Sequence, residues 1–261
     1  MSLKSQTYNY VRLFCVMIGF NPFQLKQNML EAPRYLKHLR SYRRAARQST
    51  HFPLLASNLY PILTDFHGEA GTIGGVYFHQ DLWAATKIYQ ARPAQHIDIG
   101  SRFDGFIAHL LIFMPVKVID IRPLSSDLQG LTFIQDDATL LANFESDSVE
   151  SLSSLHAIEH FGLGRYGDEI DPDGCFKAMS SLARVLKPGG RLYFSVPIGR
   201  ERVEFNAHRV FAPETILESF SQLQLISFAG VDDAGNFHAE ARPEEYREAR
   251  MACGLFEFTK N

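Results

Sequence analysis

The stretch Asp98-Ile99-Gly100-Ser101-Arg102-Phe103-Asp104-Gly105 decides how the rest of the chain is read. It ends a short apolar run, His96-Ile97-Asp98-Ile99, and leads directly into a helical pattern from Phe103 to Phe113. A strand that breaks at glycine before a helix is the place where open α/β sheets bind ligands. The glycines are spaced as in a Walker loop, but Phe106-Ile107 stand where Lys-Ser/Thr is required, so nucleoside triphosphate binding is not expected. Gly100-Ser101-Arg102 also breaks the G-x-G of the dinucleotide fingerprint.

Outward from this turn, short apolar or β-rich runs recur at Val116 to Ile121, Leu131 to Ile134, Val149 to Leu155, Arg191 to Val196, Leu223 to Phe228 and Leu255 to Thr259. Several lack clean alternation, as strands of a parallel sheet buried on both faces do. Helical patterns lie between many of them, at Asp173 to Leu186, Pro213 to Phe220 and, more polar, Pro243 to Met251, and another from His79 to Tyr89 precedes the first strand. This alternation predicts a parallel sheet with right-handed crossovers.

Acids fall at the strand ends. Asp120 closes the second strand, where a carboxylate can accept hydrogen bonds from both hydroxyls of a ribose, and Asp136-Asp137-Ala138 follows the third, within reach of an adenine amine. The run Leu186-Lys187-Pro188-Gly189-Gly190-Arg191-Leu192-Tyr193-Phe194 is a glycine-rich helix stop feeding a buried strand.

In this order the elements resemble the class I S-adenosylmethionine-dependent methyltransferase superfamily, over roughly Tyr77 to Thr259. Together with the first turn, the segments Leu155-His156-Ala157-Ile158-Glu159-His160-Phe161-Gly162-Leu163-Gly164-Arg165-Tyr166-Gly167-Asp168 and Phe205-Asn206-Ala207-His208-Arg209-Val210-Phe211 look like a bacterial family of uncharacterised function within it. The resemblance implies an α/β fold with a doubly wound, mostly parallel seven-stranded sheet. Residues 1–75 would form a basic helical extension and connector, and residues 76–261 the Rossmann-like domain. It implies S-adenosylmethionine as cofactor, held by Asp98, Gly100, Arg102, Asp120 and Asp137. One departure stands out: Arg102 and Asp104 occupy the second and third glycine positions of the usual Asp-x-Gly-x-Gly-x-Gly loop. Glycine lets backbone lie against a ligand. Arg102 therefore either pairs with the cofactor carboxylate or forms an internal ion pair with Asp104 or Asp98.

His156-Ala157-Ile158-Glu159-His160 also fits the H-x-x-E-H of inverted zinc proteases. That reading needs a long helix, whereas here the motif follows a strand-like run and precedes Gly162 and Gly164, so no metal is expected. As strand-end residues facing a ligand crevice, His156 and His160 are candidate bases for an acceptor's proton. His208 is a third, because a histidine with a pKa near neutral suits that task. Glu159, Arg165, Tyr166 and Arg209 are candidate acceptor ligands. Asp171 or Asp173 would cap the helix leading to Leu186.

Composition narrows the partners. Residues 1–50 hold nine Lys/Arg against one acid, and the remainder seventeen against twenty-eight. An acidic main body argues against nucleic-acid binding, which rests on cationic side chains. Basic residues recur at helical spacing from Arg34 to Arg47 beside Leu36, Leu39 and Tyr42, an amphipathic helix that offers a contact to a membrane surface or a protein. The Pro- and Gly-bearing stretch from Ser49 to Gly75 reads as an irregular connector. Three scattered cysteines (Cys15, Cys175, Cys253) fit neither a disulfide framework nor a zinc knuckle, and Leu13 to Phe20 is too short for a membrane span, so a cytoplasmic setting is expected. The leading expectation is methyl transfer to oxygen or nitrogen of a small-molecule or glycan-like acceptor. The alternative is a non-catalytic binding protein that kept the scaffold and lost the glycine-rich loop.

Overall fold

Asn21 starts helix α1 (Pro22–Ala46): its Oδ1 accepts the free amides of Phe23 and Gln24, both at 3.1 Å, and Pro22 stands where no amide hydrogen is needed. The computed structural model describes residues 14–15, 17–47, 52, 54–67 and 74–261, and the chain divides into two compact units, Met1–Thr72 and Ile73–Asn261. In the first unit α1 extends further towards the N-terminus than the basic stretch alone predicts, and Pro33 lies within it. None of its residues is buried. Arg34 ties it to a following turn, pairing with Glu31 at 2.7 Å, donating to the Leu63 carbonyl at 3.2 Å and covering the Phe66 ring at 3.9 Å. The described part of the connector holds two single 3-10 turns, Ala56–Asn58 and Asp65–His67. Residues 49–51, 53 and 68–73 of it lie outside the described residues.

The second unit is built on β1 (His96–Ile99), buried at every residue because it is paired in parallel on both sides, with β2 (Val116–Asp120) and β4 (Val149–Leu155). β3 (Leu131–Gln135) pairs with β2, and β5 (Leu186–Ile198) with β4, again in parallel. A hairpin of β6 (Arg202–Glu204) and β7 (His208–Val210) stands apart from the sheet. β8 (Gln224–Val231), the two-residue β9 (Phe237–His238) and β10 (Ala252–Thr259) complete it, with β10 antiparallel to both β5 and β8. The strand order is β3-β2-β1-β4-β5-β10-β8-β9. The seven expected strands are present, and β9 adds a short eighth at the edge.

Successive strand residues point to opposite faces, and both faces are covered. On one, Val116, Val118 and Leu155 pack with Ala84, Ile88, Phe106 and Leu110 from α2 (Val76–Ala91) and the segment after β1. On the other, Ile99, Ile119 and Leu152 pack with Met179 and Leu182 of α4 (Gly174–Val185) and with Ile216 of α5 (Pro213–Ser219). The helix after β1 opens with a π turn, Phe103–Ile107, and only Ala108–Leu111, α3, is α-helical. Pro243 to Met251 is not a full helix: a 3-10 turn, Pro243–Tyr246, closes on the reciprocal contact of Arg242 and Glu245 and goes no further. Asp173 occupies the N-cap of α4 without a side-chain cap. Asp171 instead accepts the Asp173 amide at 3.0 Å and pairs with Lys177 at 2.6 Å. No helix among the described residues is long and apolar enough to cross a membrane.

Candidate functional site

Strand order reverses between β1 and β4, so the connections leaving these two strands diverge to opposite sides and open a crevice at their carboxyl ends. Gly100 sits at its mouth in the left-handed region (φ +68°), and its amide donates to Ile119 at 2.9 Å. A Cβ there would lie 3.0 Å from that of Ala157, so glycine is what lets the β1 and β4 loops meet. The loop is fixed from beneath. Asp98 accepts the Ser101 amide at 2.9 Å and the Ser101 hydroxyl at 2.6 Å, and it also accepts the Ser153 hydroxyl. Ser101 Oγ in turn accepts the Leu155 amide at 3.1 Å, and Ser153 bonds His96 at 2.9 Å.

Two adjoining cavities occupy the crevice. The smaller, about 270 Å³, is bordered by Gly100, Asp120, Asp137, Ala138, Leu140 and Phe161, among others. The larger, about 640 Å³, is bordered by Tyr77 of α2, Arg102, Glu159, Arg165, His208 and Met251, among others. Gly100, Arg122, His156, His160 and Tyr166 border both.

The loop after β4 forms much of the partition. His156 leaves the strand in the left-handed region (φ +51°), and Ile158–His160 is a single 3-10 turn, not the helix that paired zinc histidines require. Among the described residues no group of three or more His, Cys, Asp or Glu stands in metal-holding geometry. Asp168 gathers the rest of the loop by accepting the amides of Gly162 at 2.7 Å, Gly164 at 3.2 Å and Tyr166 at 3.1 Å. This sets the Tyr166 ring edge-on to His160 at 5.5 Å. Gly162 (φ +77°) has no room for a side chain, because a Cβ would fall on the Asp171 carbonyl oxygen.

Of the residues expected to hold a cofactor, Gly100, Asp120 and Asp137 border the smaller cavity. Asp98 does not: it is fully buried, and burial pushes its carboxyl up to about 6, so its part is to pin the loop. Arg102 borders the larger cavity and forms the internal ion pair, donating to Asp104 through Nε at 3.0 Å and Nη2 at 2.7 Å while covering Tyr77 at 4.7 Å. Asp137 accepts the Thr139 amide at 2.8 Å. Asp120 is held by a residue not singled out in the sequence, Arg122, through its amide at 2.9 Å, Nε at 3.0 Å and Nη2 at 2.6 Å.

All three candidate bases border the larger cavity, but none has the near-neutral pKa expected of it. Burial pushes His156 down to about 3 and His160 to about 4, and it lowers His208. His160 donates from Nδ1 to the Ala207 carbonyl at 2.7 Å, which leaves Nε2 as an acceptor, 3.7 Å from Glu159 Oε1. Glu159 is 1% exposed, its Oε2 has no partner among the described residues, and burial pushes it up to about 8. Arg165 donates to Ala207 at 2.8 Å and lies 5.1 Å from the Tyr166 ring. Arg209 is outside both cavities and acts as a backbone clamp, donating to the carbonyls of Phe161 at 2.6 Å and Pro172 at 3.1 Å. Tyr77, edge-on to His156 at 5.4 Å, carried no signal in the sequence.

Residues 126–242 match the family described as Caenorhabditis protein of unknown function, DUF268, over less than half of the chain. No curated protein matches in sequence. Among solved structures, the chain is similar to the N-methyltransferase NodS from Bradyrhizobium japonicum WM9 in complex with S-adenosylhomocysteine (15% identity, 70% of this chain and 87% of that one, TM-score 0.48). It is also similar to the YcgJ protein from Bacillus subtilis (16%, 69% and 99%, 0.48) and to the [4+2]-cyclase SpnF (13%, 72% and 84%, 0.49). With five parallel strands ordered 3-2-1-4-5, a reversed β10 between β5 and β8, and a crevice at the switch between β1 and β4, the chain has a Rossmann-like α/β fold that resembles that of the class I S-adenosylmethionine-dependent methyltransferases.

Proposed function

We propose that the protein transfers a methyl group from S-adenosylmethionine to oxygen or nitrogen of a small-molecule or glycan-like acceptor. The observation that carries this reading is the adjacency of the two cavities: a cleft bearing Gly100 and Asp120 shares Gly100, His156 and His160 with a second chamber large enough for another molecule. The smaller cleft fits a nucleoside of net positive charge. Asp120 and Asp137 offer acceptors to hydroxyls and an amine, Ile119, Ala138 and Leu140 supply apolar wall, and acids outnumber the cations Arg122 and Lys177 along its border.

S-adenosylmethionine supplies a methyl group on a cationic sulfur. The residues of this chain hold the acceptor at attack distance, which is worth several kcal/mol in well-oriented reactions, roughly 7–11 at best. His160 Nε2, kept unprotonated, would receive the proton that the acceptor sheds, with His156 and His208 as neighbouring candidates. Glu159, Arg165 and Tyr166 border the chamber as acceptor ligands. The basic face of α1 is proposed as a contact to an anionic membrane surface or a protein.

A second reading, a binding protein without catalysis, is favoured by the Arg102–Asp104 pair that stands in place of two glycines. Calorimetric titration with S-adenosylmethionine and S-adenosylhomocysteine separates the two. The enzyme reading expects both to bind, and it is abandoned if neither does.

A further inference from the structure

Asp120 is the acid best placed for a ribose, yet its carboxylate is already taken. A carboxylate has about four acceptor positions, and Arg122 fills three of them with its amide, Nε and Nη2. A ribose offers two hydroxyl donors, so sugar and guanidinium compete for one carboxylate. The competition is uneven in mobility: the Asp120 side chain is 9% exposed and fixed, whereas that of Arg122 is 49% exposed. Only the side-chain contacts need break, because the amide of Arg122 can stay on Asp120.

The guanidinium also has somewhere to go. It lies over the Tyr166 ring at 4.3 Å, on the partition between the cavities, and Arg122 borders both. Arg165 uses the same ring at 5.1 Å and has no carboxylate partner among the described residues. The other charged pair of the larger cavity, Arg102 with Asp104, is neutral as a unit. His156, His160, His208 and Glu159 add no charge near neutral pH, since burial disfavours their charged forms. Release of Arg122 from Asp120 therefore leaves two uncompensated guanidiniums on Tyr166 where there was one.

We propose that Arg122 is a latch on Asp120 that the nucleoside displaces, and that the freed guanidinium joins Arg165 at Tyr166 to bind an anionic group, a carboxylate or a phosphate, on the acceptor. This rests on the nucleoside reading of the smaller cleft and adds to it an acceptor class and an order of binding, nucleoside first. Linkage makes the coupling reciprocal, so an anion on the arginines also favours the nucleoside.

The test is calorimetric titration of S-adenosylhomocysteine into the full chain and into Arg122→Gln, in chloride and in inorganic phosphate at equal ionic strength. Removing the competing ion pair should tighten binding about fivefold in chloride. Phosphate should tighten binding to the natural chain and leave Arg122→Gln unchanged. Equal or weaker binding by Arg122→Gln overturns the latch, and the same affinity in phosphate and chloride for the natural chain overturns the anion site. If neither protein binds S-adenosylhomocysteine or S-adenosylmethionine, the nucleoside reading itself fails and the latch falls with it.

Discussion

The two cavities share a partition but differ in how their acids are held. Along the smaller one, Asp120 and Asp171 each pair with a cation, Arg122 and Lys177. Along the larger one, burial keeps Glu159 and three histidines uncharged near neutrality. A charged cleft suits a ligand that brings its own charge. Buried, uncharged side chains beside the cations of the larger cavity suit proton transfer, where a bare imidazole nitrogen and a carboxylic acid serve as acceptor and donor. Tyr77 of α2 and Ala252 of β10 border the larger cavity, whereas the smaller is bordered mostly by residues of the loops after β2, β3 and β4.

The strongest way to break this arrangement is at the partition. Gly162→Ala would push a methyl group into the Asp171 carbonyl at a left-handed position, and it should cost roughly 3 kcal/mol or more in denaturant melts. Both cavities should be lost together. Arg209→Ala removes donors from the carbonyls of Phe161 and Pro172, and a loss of about 1–3 kcal/mol is expected. Binding of S-adenosylhomocysteine to the remaining folded protein should be unaltered; a selective loss of ligand affinity at full stability would make Arg209 a ligand instead of a clamp.

The buried acid and histidines have a pH signature. Glu159 lies at about 8 in the folded protein against an ordinary 4.5, so its contribution to stability is present below pH 4.5 and is lost as pH rises to about 8. His156 and His160 lie at about 3 and about 4 against 6.5, so their contributions are present above pH 6.5 and are lost as pH falls through those values. Glutamine imitates the acid form. The melting temperature of Glu159→Gln should therefore rise relative to the natural protein between about pH 5 and about pH 8. A constant offset across that window would place Glu159 in a solvated setting. The smallest effect is expected at Arg102→Ala, whose pair with Asp104 is exposed: cofactor affinity should change by less than about twofold, as for other exposed pairs. A tenfold loss would mean that Arg102 leaves Asp104 to meet the ligand.

Much of the fold was legible because a sheet covered on both faces writes itself as apolar runs, and β1 and β4 occupy the predicted residues without change. Pro243 to Met251 departs from expectation because the contact of Arg242 with Glu245 closes one turn, of which only Tyr246 is buried. In the site, position along the chain was legible and environment was not. Gly100 and Asp120 border one cleft as strand-end residues should. The low pKa of His156 depends on burial by residues far away in sequence, and Arg209 became a clamp through carbonyls near residues 161 and 172. Arg122 stands only two residues from Asp120, but a sequence that offers a carboxylate to a ligand does not show that a neighbour holds it first.

The central claim is that Gly100 and Asp120 wall a nucleoside cleft, and titration calorimetry of S-adenosylmethionine into the natural chain and into Asp120→Ala tests it most directly. Saturable one-to-one binding that the alanine variant loses, with its melting temperature otherwise preserved, is the expected result. Binding that is absent, or that Asp120→Ala leaves untouched, would contradict it.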